Sequence, residues 1–265
     1  MIAQVVIPDW PAPPHVRALC TTRAGGISLA PWDSLNLGDH VGDNVSAVSA
    51  NRARLATAIA ARPVFLKQVH GCGVLELDAF TPDGATADAC LSRTPGLACT
   101  IMVADCLPVL LCDREGSAVA AAHAGWRGLA GVTGARGCGP RGVLEEACER
   151  FFSVARIEPA DIAARTLAWL GPCIGPSAFE VGDEVKAVFE AHDPAAATMF
   201  KAQANGQWLA DLPGLARQRL RALGVSAIHG NDGTAPWCTV GNPSRFFSHR
   251  RDRSSGRFAA CIWLL

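Results

Sequence analysis

Three side chains that bind metals or move protons stand beside the ends of apolar runs: His70, Cys106 and His123. The runs Leu107–Leu111 and Ala118–Ala122 flank Asp113-Arg114-Glu115-Gly116, a polar turn signal, and read as a β-hairpin. A two-residue loop of Arg114 and Glu115 sets Leu111 opposite Ala118 and, further out, Cys106 opposite His123. Opposed residues of an antiparallel pair lie about 4.5–5.5 Å apart with side chains on one face. A thiol and an imidazole at that spacing can share a metal ion or exchange a proton. His70, in Gln68-Val69-His70-Gly71, ends an earlier strand and completes a His2Cys set. Three protein ligands leave a fourth zinc position open, as in catalytic zinc sites. The same atoms can also work without metal, with Cys106 as nucleophile, His123 as its base and His70 or Asp105 orienting it. Copper is a third option. Multicopper sites use many histidines, and this chain has seven, none in a His-X-His pair, so only a single copper fits these ligands.

Candidates to bind a substrate lie in loops. Thr22–Asp43 is too polar and glycine-rich for regular structure, yet its apolar interleaving argues for order. Arg23, Asn36 and His40 are placed there to line a site. Asp105 and Gln68 flank two of the metal candidates and could orient them. Arg23, Arg127 and Arg250 lie in or beside motif loops, and guanidinium groups match phosphate geometry. Trp126 is expected to pack rather than to stack on a ligand. The stretch Phe246–Asp252 is dense in side chains able to do chemistry.

The elements that must hold these residues follow from pattern and punctuation. Val16–Thr22, Val64–Val69, Leu97–Val103, Thr166–Leu170, Ser226–His229 and Phe258–Leu265 read as strands. A helix capped at Asp43 or Asn44 runs to about Ala61, and others cover Val143–Phe152, Val181–Ala191 and Leu212–Leu223. Strands alternating with helices, with hairpins among them, predict an α/β fold (α+β mixed): one layered domain over 1–265, with a mixed sheet and flanking helices. Residues 131–142 hold five glycines, Pro140 and Cys138, and read as a flexible insertion.

Composition sets bounds. The 265 residues are 49% hydrophobic, enough for a sizeable core. Lys+Arg and Asp+Glu both number 24, so nothing global points to nucleic acid or an anionic membrane. No apolar run has the length of a membrane span. Eleven cysteines without a CxxC pair, and an N-terminus lacking a secretory pattern, point to mostly buried free thiols in a reducing cytoplasm.

Taken in order, the motifs Thr22-Arg23-Ala24-Gly25-Gly26, Ser34-Leu35-Asn36-Leu37-Gly38, Gln68-Val69-His70-Gly71, Ala104-Asp105-Cys106-Leu107-Pro108, His123-Ala124-Gly125-Trp126-Arg127-Gly128, Gly171–Pro176 with Phe179-Glu180-Val181-Gly182, and Phe246–Asp252 span nearly the whole chain. The chain so resembles the laccase-domain family, whose members are also described as polyphenol oxidases, peptidoglycan editing factors or YfiH-type purine nucleoside phosphorylases. Two places depart from the pattern: the segment around 133–141, and Gly233–Pro236, which lengthens a loop. The resemblance implies a zinc-dependent enzyme that cleaves adenosine, inosine and methylthioadenosine with phosphate and deaminates adenosine. It places the metal on His70, Cys106 and His123. It also implies an alternative, the editing of muramyl-nucleotide cell-wall precursors, and it carries a legacy of copper-dependent phenol oxidation.

Overall fold

Leu107–Asp113 and Val119–Ala124 form the expected antiparallel hairpin, but in a different register. Asp113 sets it. Its Oδ1 accepts the Glu115 N–H, its Oδ2 the Ser117 hydroxyl and its carbonyl the Gly116 N–H. The loop is thereby four residues long, Arg114 to Ser117, and the pairing moves by two: Leu111 faces Ala120, and His123 faces Pro108 rather than Cys106. A shift of one would have sent Cys106 and His123 to opposite faces, whereas a shift of two keeps them on one face as diagonal neighbours.

The computed structural model describes residues 4–131 and 141–265. The expected insertion at 131–142 therefore lies largely outside the described residues. The strands form three sheets rather than one. The hairpin sits in a six-stranded mixed sheet with Thr166–Leu170, Ala227–Gly230, Ala89–Ser92 and Val74–Glu76. Leu97–Val103 and Phe258–Leu264 are central in a five-stranded sheet that is antiparallel except where Arg62–Phe65 joins in parallel. Glu180–Val181, Trp208–Ala210 and Phe200–Ala202 make a small antiparallel sheet; the last two strands carry too little alternation to be read from sequence.

The two large sheets pack face to face. Leu110, Cys112, Val119 and Ala121 of one meet Cys99, Ile101, Phe258 and Ala260 of the other. The alternate residues Val109, Leu111, Ala120 and Ala122 face helices Val143–Ala155 and Leu212–Ala222. On the far side, helix Val45–Ile59 covers the five-stranded sheet through Leu55 and Ile59. Strands buried on both faces explain why these runs are apolar throughout rather than alternating. Among the described residues nine cysteines are free, and eight of them are buried. They act as small apolar side chains. No described helix is long and apolar enough to cross a membrane.

The polar loop after Thr22 is tied to the helix by Asn51, which is fully buried. Its Oδ1 accepts the Ile27 N–H, and its Nδ2 donates to Ser28 Oγ and to the carbonyls of Ser34 and Asn36. Asn51→Ala leaves these buried groups without partners. It is expected to lower stability by about 2–4 kcal/mol in urea unfolding.

Candidate active site

The three metal candidates converge at one end of the layer between the large sheets. Their ligand atoms all lie within 4.8 Å of one another. The His70 and His123 rings meet edge to face, with centroids 4.8 Å apart. The residue that organises them is Asp88, which the sequence reading did not single out. It lies fully buried, one position before strand Ala89–Ser92. Its carboxylate accepts the N–H groups of Val69, His70 and Gly71 at 3.2, 2.9 and 2.7 Å, and so fixes a turn in which His70 has φ 60°. The same carboxylate lies 2.9 Å from His123 Nδ1, and its backbone carbonyl accepts the His123 N–H. With Nδ1 donating to Asp88, Nε2 is the His123 nitrogen that faces the site, and it can ligate a metal once it gives up its proton. The one available signal in the sequence was a lone Asp within Ala-Asp-Ala-Cys-Leu.

Cys106 completes the group just ahead of its strand. Burial alone would push its thiol up, but the His123 charge and hydrogen bonds from His123 and His70 bring it down to about 6. Burial works against a charge on His123 too; the Cys106 thiolate and Asp88 outweigh it and raise the imidazole to about 9. Burial opposes charge on Asp88 as well, and contact with His123 and the backbone N–H groups holds it below the usual carboxylate range. The thiolate is therefore the resting form near neutrality, which is the form that ligates metal. Space is reserved around it. A Cβ on Gly125 would stand 2.9 Å from Cys106 Sγ and 3.2 Å from His70 Cδ2, so only glycine leaves the sulfur and ring where they are. Two imidazole nitrogens and a thiolate in this cradle fit one ion with bonds of about 2.0–2.3 Å.

The group opens into a cavity of about 440 Å³. Its lining is mixed: apolar Met102, Val103, Ile174, Phe179 and Leu212, the arginines Arg127, Arg250, Arg253 and Arg257, and His40 and His249, with the Arg250 guanidinium over the Phe179 ring at 5.7 Å. Burial and the nearby Arg257 charge lower the pKa of His40.

The sequence candidates fall into two groups. Gln68, Asp105, Arg127 and Arg250 line the cavity with the triad. Gln68 exchanges two 2.8 Å hydrogen bonds with the Met102 backbone and so braces the cavity floor. Asp105, at φ 99°, accepts the Thr239 hydroxyl and the Arg250 N–H, and anchors the short helix His249–Asp252. Arg250 Nη1 donates to the Glu180 carbonyl, and the Arg127 guanidinium stacks on Trp126 at 4.4 Å. Trp126 thus lines the cavity as well as packing against the core.

Arg23 and Asn36 are not brought to the cavity. Arg23 Nε and Nη1 are spent on the carbonyls of Asp33 and Pro243, and Nη2 pairs with the Asp33 carboxylate. Asn36 is fully buried and bonded to Gly38, Asp43 and the Arg257 backbone. Both hold the loop through these bonds. Arg253, Arg257 and His249 were missed as individuals, although Phe246–Asp252 had stood out as a stretch.

Known proteins share this architecture along its whole length. A purine nucleoside phosphorylase of Pseudomonas aeruginosa is 50% identical over 258 residues, covering 97% of each chain. The purine nucleoside phosphorylase YfiH of Escherichia coli is 48% identical over 266 residues, covering 100% of each. Among solved structures, a Neisseria meningitidis protein superposes with a TM-score of 0.85 at 44% identity, over 98% of both chains. YlmD from Geobacillus stearothermophilus gives 0.82 at 31% identity, over 95% of this chain and 92% of that one. Residues 17–265 match the family described as multi-copper polyphenol oxidoreductase laccase, and the chain belongs to that family.

Proposed function

We propose that this chain is a purine nucleoside phosphorylase with a zinc ion on His70, Cys106 and His123. The observation that carries the reading is the juxtaposition of that donor group with arginines in one cavity. Relatives at 48–50% identity that bear the phosphorylase name support it. The single three-residue donor group found among the described residues suits one zinc better than a multicopper centre.

In phosphorolysis a phosphate oxygen bonds to the anomeric carbon while the glycosidic C–N bond breaks. The electron pair leaves with the base, which gains a proton. The lining of the cavity offers groups for both tasks. Phe179, Ile174 and Leu212 offer an apolar bed for the purine, and arginines hold phosphate against the sugar. Zinc, when bound, would supply a Lewis acid for charge gathering on the reacting groups. Asp88 keeps His123 in the tautomer that ligates, and Asp105 holds Arg250 at the rim. Adenosine deamination exchanges the C6 amino group for water oxygen and needs no phosphate. It therefore serves as an internal reference.

The first expected outcome concerns metal. Elemental analysis after zinc supplementation should give about one ion per chain, and Cys106→Ala should lose it. Asp88→Asn should weaken zinc binding by about 10- to 100-fold in chelator competition. Equal zinc in wild type and Cys106→Ala would place the metal elsewhere.

The second concerns activity. Adenosine with phosphate should yield adenine and ribose 1-phosphate, and adenosine alone should slowly yield inosine. Cys106→Ala should abolish both. Arg250→Ala should cost phosphorolysis about 1.5–3 kcal/mol, roughly 10- to 150-fold, and deamination less, because only phosphorolysis holds an anion. Phosphorolysis retained by Cys106→Ala would overturn the reading.

A further inference from the structure

The four arginines of the cavity are not equivalent. Arg127 and Arg253 are exposed, and Arg250 spends Nη1 on the Glu180 carbonyl. Arg257 is half-buried and held by a frame that begins 221 residues earlier in the chain. Its backbone N–H donates to Asn36 Oδ1 at 2.8 Å. Asn36 is itself locked, accepting the Gly38 N–H at 2.9 Å and donating to the Gly38 carbonyl and to Asp43. Gly38 makes room for the Arg257 stem, since a Cβ there would stand 2.7 Å from Arg257 Cγ and 3.1 Å from Cβ. Nη1 donates to the carbonyls of Ser255 and Gly256 at 2.8 and 3.0 Å, which fixes the plane of the guanidinium. Among the described residues no protein acceptor takes Nε or Nη2. Those two donors form one edge of the fork, the edge that matches two oxygens of a tetrahedral oxyanion.

We infer that Arg257 is the principal anchor of the phosphate co-substrate, that Asn36 is its positioning residue, and that Gly38 is the space its stem requires. The inference rests on the phosphorolysis reading above and adds a residue to it. Ordering a free arginine costs side-chain entropy. Here Asn36, Gly38, Ser255 and Gly256 have already met that cost, so an anion arriving at the Nε–Nη2 edge finds the fork in place. Arg127 and Arg250 act further out, where they attract the anion and complete its shell. The motif Ser34–Gly38 thereby serves the site without touching a ligand.

The test uses the zinc-loaded full chain and measures KM separately for phosphate and nucleoside. Arg257→Gln should raise the phosphate KM by about 10- to 150-fold and change the nucleoside KM by less than about 3-fold. Arg257→Lys restores the charge without the fork, and should remain at least about 5-fold above wild type. Gly38→Ala meets only the Arg257 stem at short range. It should raise the phosphate KM in the wild-type background and have no further effect in Arg257→Gln. Melting temperatures confirm that the variants are folded, and Arg257→Lys and Gly38→Ala carry the test if Arg257→Gln is not. A phosphate KM within about 2-fold of wild type in the arginine variants, or a nucleoside KM rising in step, would overturn the anchor. Equal effects of Gly38→Ala in both backgrounds would overturn the frame. If the wild type makes no ribose 1-phosphate, the phosphorylase reading fails on its own. Calorimetric titration with inorganic phosphate then decides this inference: binding lost in Arg257→Gln upholds it, and equal binding overturns it.

Discussion

The site depends on one buried carboxylate. Asp88 could not be ionised in this interior without compensation, and it receives four donors: three consecutive backbone N–H groups and His123 Nδ1. The consecutive N–H groups can converge only because the chain turns sharply at His70, so satisfying Asp88 and presenting His70 are a single structural event. The bond to His123 sets that ring's tautomer and plane. Cys106 then stands against an imidazole already polarised by a carboxylate, which accounts for a thiolate at the end of an apolar sheet. Remove the carboxylate and three separate features lose their cause.

The hairpin shows why sequence could name the triad yet misplace its geometry. Apolar runs around Asp113–Gly116 announce two strands and a turn, and both are present. Register depends on loop length, and loop length depends on where the Asp113 side chain finds its donors. It found them at Glu115 and Ser117, two positions that a pattern of apolar and polar residues does not distinguish. The triad survived the error because strand faces repeat every two residues. Phe200–Ala202 and Trp208–Ala210 were illegible for another reason: strands of three residues are shorter than any periodicity that could reveal them.

The lining of the cavity was harder to read than the His/Cys/His group. Polar residues in a glycine-rich loop look alike whether they face a ligand or hold the backbone. Arg23 and Asn36 hold backbone, each satisfied by partners far along the chain such as Pro243 and Arg257. Asp88 and Arg257 were invisible for the converse reason. Each sits against an apolar strand, where one polar residue carries no pattern, and each acquires its role only from neighbours that folding brings near. What local sequence does encode is the space around such groups. The glycine of His123-Ala124-Gly125 is required by the sulfur and ring it would otherwise strike, although the reason lies elsewhere in the chain.

Charge balance links the His/Cys/His group to the arginines of the cavity. Asp88 and the Cys106 thiolate are negative, and each is already partnered within the group, by backbone N–H groups and by the two imidazoles. Among the described residues Asp105 is the one acid lining the cavity, and its oxygens are taken by Thr239 and the Arg250 N–H. Little negative charge is left to neutralise the four arginines. Arg250 and Arg257 are partly screened from water, and fixed cations there cost folding energy unless a ligand relieves them. An anion entering from solvent meets that field before it meets any single side chain. Attraction by the arginines together and orientation by the fork of one are then separate contributions, the first falling steeply with ionic strength and the second, partly buried, much less so.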